Sequence, residues 1–209
     1  MSFFPRAFAP LFIAMVCVIA PTGALAETPG TGGTAFEEEP PPPPMLEPGQ
    51  WSGVEVPGTK AKLLEDGTAA APADAPEQVK QAIWAANALK DLPYLYGGGH
   101  NLQFDVADGA DCSGTVSYAL HAAGLLKTPL DSGRFMRWGR RGRGSWITVF
   151  TNPGHAYAVI AGLRLDTSVA GMSRTMKSTF AASAFESGPR WRPMKRSPLG
   201  FVKRHPVSF

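Results

Sequence analysis

Two short segments of this 209-residue chain carry residue types that can do covalent chemistry: Asp111-Cys112-Ser113-Gly114 and, further on, Gly154-His155-Ala156-Tyr157 at the head of an apolar run. Together they supply a cysteine nucleophile and a histidine base. A thiol is a weak nucleophile until it ionises, and a helix N-terminus with a nearby imidazolium stabilises the thiolate near neutrality. Cys112 stands where such a helix should begin. From Ser113 to Leu126 the residues Val116, Ala119, Leu120 and Ala123 recur at helical spacing, Gly109 and Asp111 upstream are turn and cap residues, and Gly124 fits the far end. A glycine before His155 and a strand after it would fix the ring beside a sheet, facing the helix start. The other histidines lack that setting: His100 lies in a glycine-rich loop, His121 within the nucleophile helix and His205 near the end of the chain.

The elements needed to hold these groups are legible around them. Before the nucleophile, Val79, Ala82, Ile83, Ala86 and Leu89 fall on one helical face, with Pro76 near the start and Pro93 beyond the end. After it, 146–150, 155–161 and 163–166 are rich in β-branched and apolar residues and are separated by Asn152-Pro153-Gly154 and Gly162, which predicts an antiparallel meander. Phe201 and Val202 are expected to add a late edge strand. A helix carrying a thiol, packed on an antiparallel sheet carrying its base, is an α+β arrangement.

Pro93-Tyr94-Leu95-Tyr96-Gly97-Gly98, then Asp-Cys-Ser-Gly opening a helix, then Gly154-His155 followed by a strand, occur in the order of the NlpC family of cell-wall cysteine endopeptidases, which the chain resembles from about Gln81 to Ser168. The resemblance implies a papain-like fold and hydrolysis of amide bonds in peptidoglycan stem peptides through a thioester on Cys112, with His155 as base. It places the third catalytic member, which orients the imidazole, at Asp166, where the family commonly has histidine; Thr167 and Ser168 are alternatives. It also implies that Tyr94, Asp111 and Ser113 line the pocket and receive the stem peptide's amino terminus, Tyr94 joining the Cys112 backbone N–H in stabilising the oxyanion. Crossbridge cleavage and γ-D-glutamyl-diamino acid cleavage would use the same groups. Two other readings are a non-catalytic wall-binding module retaining the fold, and a cysteine acyltransferase or lipid amidase on a permuted scaffold; the second is disfavoured because here cysteine precedes histidine.

Composition bounds the surroundings. Residues 1–26 read as a secretory signal peptide, with Arg6, an apolar stretch from Ala9 to Ala20 and a small-x-small site at Ala24-Leu25-Ala26; the apolar stretch is too short for a bilayer span of roughly 20 residues. The expectation is an exported protein, periplasmic or cell-wall associated. Cleavage removes Cys17, one of two cysteines, and leaves Cys112 as a lone thiol with no disulfide partner. Residues 27–75 read as a Pro-rich acidic linker without a core of its own, in which Trp51 and the 60–64 patch are candidates for docking although isolated apolar residues in a linker usually mean nothing, and 76–209 as the peptidase domain.

Charge divides near the same boundary. Residues 27–80 hold ten acidic and three basic side chains, a net of −7, and residues 81–209 hold sixteen basic and seven acidic, a net of +9. A basic domain suits peptidoglycan or other anionic envelope polymers by long-range attraction. Arg137, Arg140, Arg141 and Arg143, near Trp138 and Trp146, would also suit phosphates, but a secretory signal argues against nucleic acid. No zinc-type spacing, phosphate loop or dinucleotide fingerprint is present, so neither a metal nor a cofactor is expected.

Overall fold

The computed structural model describes residues 46–168, 188–194 and 199–209. These lie within one compact unit, Pro40–Phe209; the proposed signal peptide and the first part of the proposed linker fall outside the described residues.

Two helices form one layer. Helix α1 (Glu77–Asn87) starts at Pro76, whose missing N–H costs nothing in a first turn, and buries Val79, Ala82, Ile83 and Ala86. Helix α2 (Cys112–Ala122) starts at Asp111, whose side chain accepts from the Gly114 N–H, and ends before Gly124, which takes a left-handed conformation (φ 68°). A short helix α3 (Ser132–Phe135) is capped by Asp131. The second layer is a sheet of β4 (Arg140–Arg141), β5 (Ile147–Asn152), β6 (His155–Ile160), β7 (Leu163–Asp166), β8 (Arg190–Pro193) and β9 (Val202–His205), in the spatial order β4-β9-β5-β6-β7-β8. The pairs β5–β6 and β6–β7 are antiparallel, so the expected meander is present. Their alternate residues Ile147, Val149, Ala156, Ala158, Ile160, Leu163 and Leu165 enter the same apolar core as α1 and α2. The molecule is mixed α+β.

Two expectations need correction. Residues 46–75 are not a linker: β1 (Glu55–Val56) and β2 (Lys62–Leu63) flank β3 (Ala69–Pro72) in a small second sheet, and Ala69, Ala70 and Ala71 are fully buried. Composition misled because what holds this short Ala/Pro strand lies outside it: β1 and β2 pair with it, and side-chain amides of α1 fasten its start and Trp51. Gln81 accepts from the Trp51 N–H and donates to the Trp51 carbonyl, both at 2.8 Å, and Asn87 does the same for Ala69 at 2.8 and 2.9 Å. Trp51 is half-buried against the core rather than a free docking point, and Ala61 donates to the Ala161 carbonyl at the end of β6. The late strand at Val202 is also not an edge. It lies between β4 and β5, pairing Arg140 with His205 and Val149 with Arg204, because the arginine pair of β4, unremarkable as strand sequence, covers its outer side.

Candidate active site

The start of α2 meets the start of β6. Cys112 is the first residue of its helix, a free thiol 9% exposed. His155 is the first residue of its strand, held there by the turn in which the Gly154 N–H donates to the Asn152 side chain. The thiol is near enough to the imidazole to help raise its pKa.

On the far side of the ring, Nε2–H donates to Oδ1 of Asp166 at 2.8 Å. This leaves Nδ1 as the nitrogen that can exchange a proton with sulfur. Asp166 is inaccessible to solvent yet fully engaged: Ser168 donates its backbone N–H to Oδ1 at 3.1 Å and its hydroxyl to Oδ2, and Arg164 forms an ion pair with Oδ2. Of the three residues considered for the third position, Asp166 contacts the ring, Ser168 contacts Asp166, and Thr167 is buried. Register explains the arrangement. Ala158 pairs with Leu165, so Asp166 and His155 point to the same face of adjacent strands, on a diagonal within side-chain reach. Arg164, on that face too, lies over the Tyr157 ring, its guanidinium carbon 3.9 Å from the centroid.

These contacts set the charges. Burial alone would lower the His155 pKa, but the hydrogen bond to Asp166 and the contact with Cys112 outweigh it and raise it to about 9. Burial opposes ionisation of Asp166, yet His155, Arg164 and Ser168 hold its carboxyl well below the usual range. At neutral pH the pair is therefore an imidazolium beside a carboxylate.

Tyr94 is half-buried and forms an isolated bridge with Ala110, two residues before Cys112. Burial, then the neighbouring Cys112 and Asp111, push its phenol up to about 12, so it stays a proton donor at neutral pH. Asp111, expected to receive a substrate ammonium, is tied into the chain: Oδ1 accepts from the Gly114 N–H at 2.7 Å, the Ser113 hydroxyl at 3.1 Å and His100 Nε2 at 2.9 Å, and Oδ2 accepts from the Gly97 N–H at 3.1 Å. Ser113 Oγ also lies 3.2 Å from His100 Nε2.

His100 is the residue that sequence reasoning passed over. Its only sequence signal was a place just after Gly97-Gly98-Gly99, and those glycines explain how it arrives. A Cβ on Gly99 would come within 3.1 Å of the Gly114 Cα, and Gly97 has φ 80°, so the loop lies backbone to backbone on the first turn of α2 and turns His100 onto Asp111. The arginines 137, 140, 141 and 143 are exposed in and around β4, Arg143 with its guanidinium carbon 5.7 Å from the Phe150 ring centroid, and Trp138 packs edge-on against Phe135. Among the described residues no group of three side chains is arranged to hold a metal ion, and no helix is long and apolar enough to cross a membrane.

No protein-family model matches the chain, and no curated protein sequence matches it. Among solved structures, the peptidoglycan hydrolase RipB from Mycobacterium tuberculosis is similar at 22% identity with a TM-score of 0.41, the match covering 61% of this chain and 64% of that one.

Proposed function

We propose that the chain is an exported cysteine hydrolase that cleaves an amide bond in peptidoglycan stem peptides. The observation that carries the proposal is the His155 ring held at 2.8 Å on the buried Asp166 carboxylate, with the Cys112 thiol near enough to raise its pKa. Resemblance of the motifs around Tyr94, Cys112 and His155 to the NlpC family supports the substrate class.

In this reading Cys112 sulfur attacks the amide carbon, and the developing oxyanion is met by the Cys112 backbone N–H and the Tyr94 hydroxyl. His155, protonated at Nδ1, gives that proton to the departing amine, and a thioester remains. Water then attacks the thioester, His155 takes its proton, and the acid leaves as the thiol is restored. Asp166 stays ionised throughout, holding the ring orientation and stabilising the imidazolium.

The test is incubation of the exported chain with purified sacculi, with mass spectrometry of released fragments, against Cys112→Ala. Stem fragments from the wild-type chain and none from the variant, with both folded, support the reading; equal release by the two overturns it.

A further inference from the structure

Asp166 is a buried carboxylate with both oxygens engaged. His155 Nε2 and the Ser168 N–H meet Oδ1 at 2.8 and 3.1 Å, and the Ser168 hydroxyl and the Arg164 guanidinium meet Oδ2. Two of these partners are cations of different kinds. His155 is a cation only while its ring holds both protons, whereas a guanidinium is charged throughout the range in which enzymes work.

The difference matters at one stage of the proposed reaction. Once sulfur is acylated and the amine has left with its proton, Cys112 carries no charge and the His155 ring is neutral. A carboxylate closed off from water, with no cation beside it, takes up a proton rather than keep its charge. A protonated Asp166 would not stabilise the imidazolium that forms as His155 draws a proton from water. Arg164 is the cation that stays on Asp166 when His155 is neutral.

The fold holds Arg164 in place by more than the ion pair. Its guanidinium carbon lies 3.9 Å from the Tyr157 ring centroid, and that ring is stacked on Phe150 with centroids 4.8 Å apart and planes 3° apart. A planar cation laid on an aromatic pile has little freedom to swing away. The other ionisable groups nearby are differently engaged. On β8, Arg190 stands opposite Asp166 and donates to the Gly188 carbonyl, while Arg192 stands opposite Arg164 and donates to the Ser168 carbonyl. Tyr157 is a neutral phenol, its pKa pushed up to about 12 by burial.

We infer that Arg164 is a positioning residue for the second half of the reaction: it keeps Asp166 ionised and aimed at His155 while Cys112 carries the acyl group, and so serves the attack of water more than the attack of sulfur. The inference rests on the thioester step of the proposed hydrolysis, and its test needs no peptidoglycan.

The full chain is treated with p-nitrophenyl acetate. Cys112 sulfur displaces p-nitrophenolate and forms an acetyl thioester; water then releases acetic acid and restores the thiol. Absorbance of nitrophenolate follows the first step, and mass spectrometry of the Cys112 peptide, after removal of excess reagent, follows the second. Arg164→Met should be acetylated nearly as fast as the wild-type chain but lose the acetyl group more slowly by about tenfold or more, the effect of one pKa unit of lost charge compensation. Arg164→Lys, which keeps the charge without the planar stack, should fall between them. Equal slowing of both steps, as a merely structural role predicts, overturns the inference, and so does unchanged loss of the acetyl group. Should Arg164→Met fail to fold, the wild-type chain still decides: the Asp166 carboxyl carbon, followed by NMR, should keep its ionised shift at neutral pH when Cys112 is acetylated, and a protonated shift overturns the inference. Sacculi left intact by a chain that shows the expected split would overturn the proposed substrate and leave Arg164 its role. A Cys112 that forms no thioester overturns both readings.

Discussion

The carbonyl oxygen of Gly98 lies 2.0 Å from the point that a Cβ on Gly114 would occupy, so the loop before Cys112 rests directly on the backbone of α2. Only hydrogen at Gly114 allows this. The same carbonyl accepts from the Asp111 N–H at 3.2 Å, fixing the residue before Cys112. Gly114→Ala should therefore push the loop off α2, carrying Tyr94 and His100 with it. The expected cost is about 2 kcal/mol or more of stability, typical of a forced backbone shift, with slower alkylation of Cys112 by iodoacetamide. Thermal unfolding and alkylation kinetics on the same sample check both.

Asp166→Asn keeps the shape of the side chain and removes its charge. Turnover should fall by at least about tenfold, because the imidazolium loses its counter-charge and the ring its preferred tautomer. The His155 pKa, raised to about 9 in the wild-type chain, sets the alkaline limit of activity, so kcat/KM should fall as pH rises through about 9. In Asp166→Asn that limb should move to lower pH. Ser168→Ala, one contact further from the ring, should move it less.

The same pair makes stability depend on pH in a stated direction. His155 has a folded pKa above its ordinary 6.5, so its contribution is fully present below 6.5 and lost as pH rises through about 9. Asp166 has a folded pKa below its ordinary 3.8, so its contribution is present above 3.8 and lost as pH falls further. Urea midpoints across pH should form a plateau between these limits, and Asp166→Asn should flatten both shoulders.

Deletion of the residues before 46 should leave cooperative unfolding intact, whereas deletion through Ala75 should not. The second cut strips β3 from α1 and removes the Trp51 and Ala69 partners of the Gln81 and Asn87 amides as well as uncovering buried apolar side chains, each worth about 1.5–3 kcal/mol. A loss of about 3 kcal/mol or more is expected, read by denaturant titration of the two truncated chains.

The parts of the fold that were legible in the sequence are those built from local pattern. The α1 and α2 repeats, the β5–β6–β7 strands and the Asp111 cap all follow from spacing that one element carries by itself. What escaped depended on partners far away in the chain. The strand at Ala69–Pro72 has little β-propensity and is held by amides on α1; β4 is a pair of arginines that become strand only because residues 204 and 205 pair with them. In the site, Cys112 and His155 follow from local context and Asp166 only from the resemblance; His155 Nε2 lies 2.8 Å from Asp166 Oδ1, and Cys112 is near enough to act on the charge of the ring. His100 escaped because its meaning lies in a contact across the Gly97–Gly99 turn, which its own neighbours in sequence do not announce.

The insertion of β9 between β4 and β5 has a kinetic side. Helices α1 and α2 and the β5–β6–β7 meander can form from near neighbours, but the sheet stays split until Val202–His205 returns to fill the gap beside β5. Closing so long a loop is entropically slow, and the pairing cannot be rewarded before it is complete. A partly folded chain thus carries its cysteine helix and its histidine strand before the sheet beneath the histidine is whole. Maturation of the cleft becomes a late folding event, timed by the return of one short, basic strand.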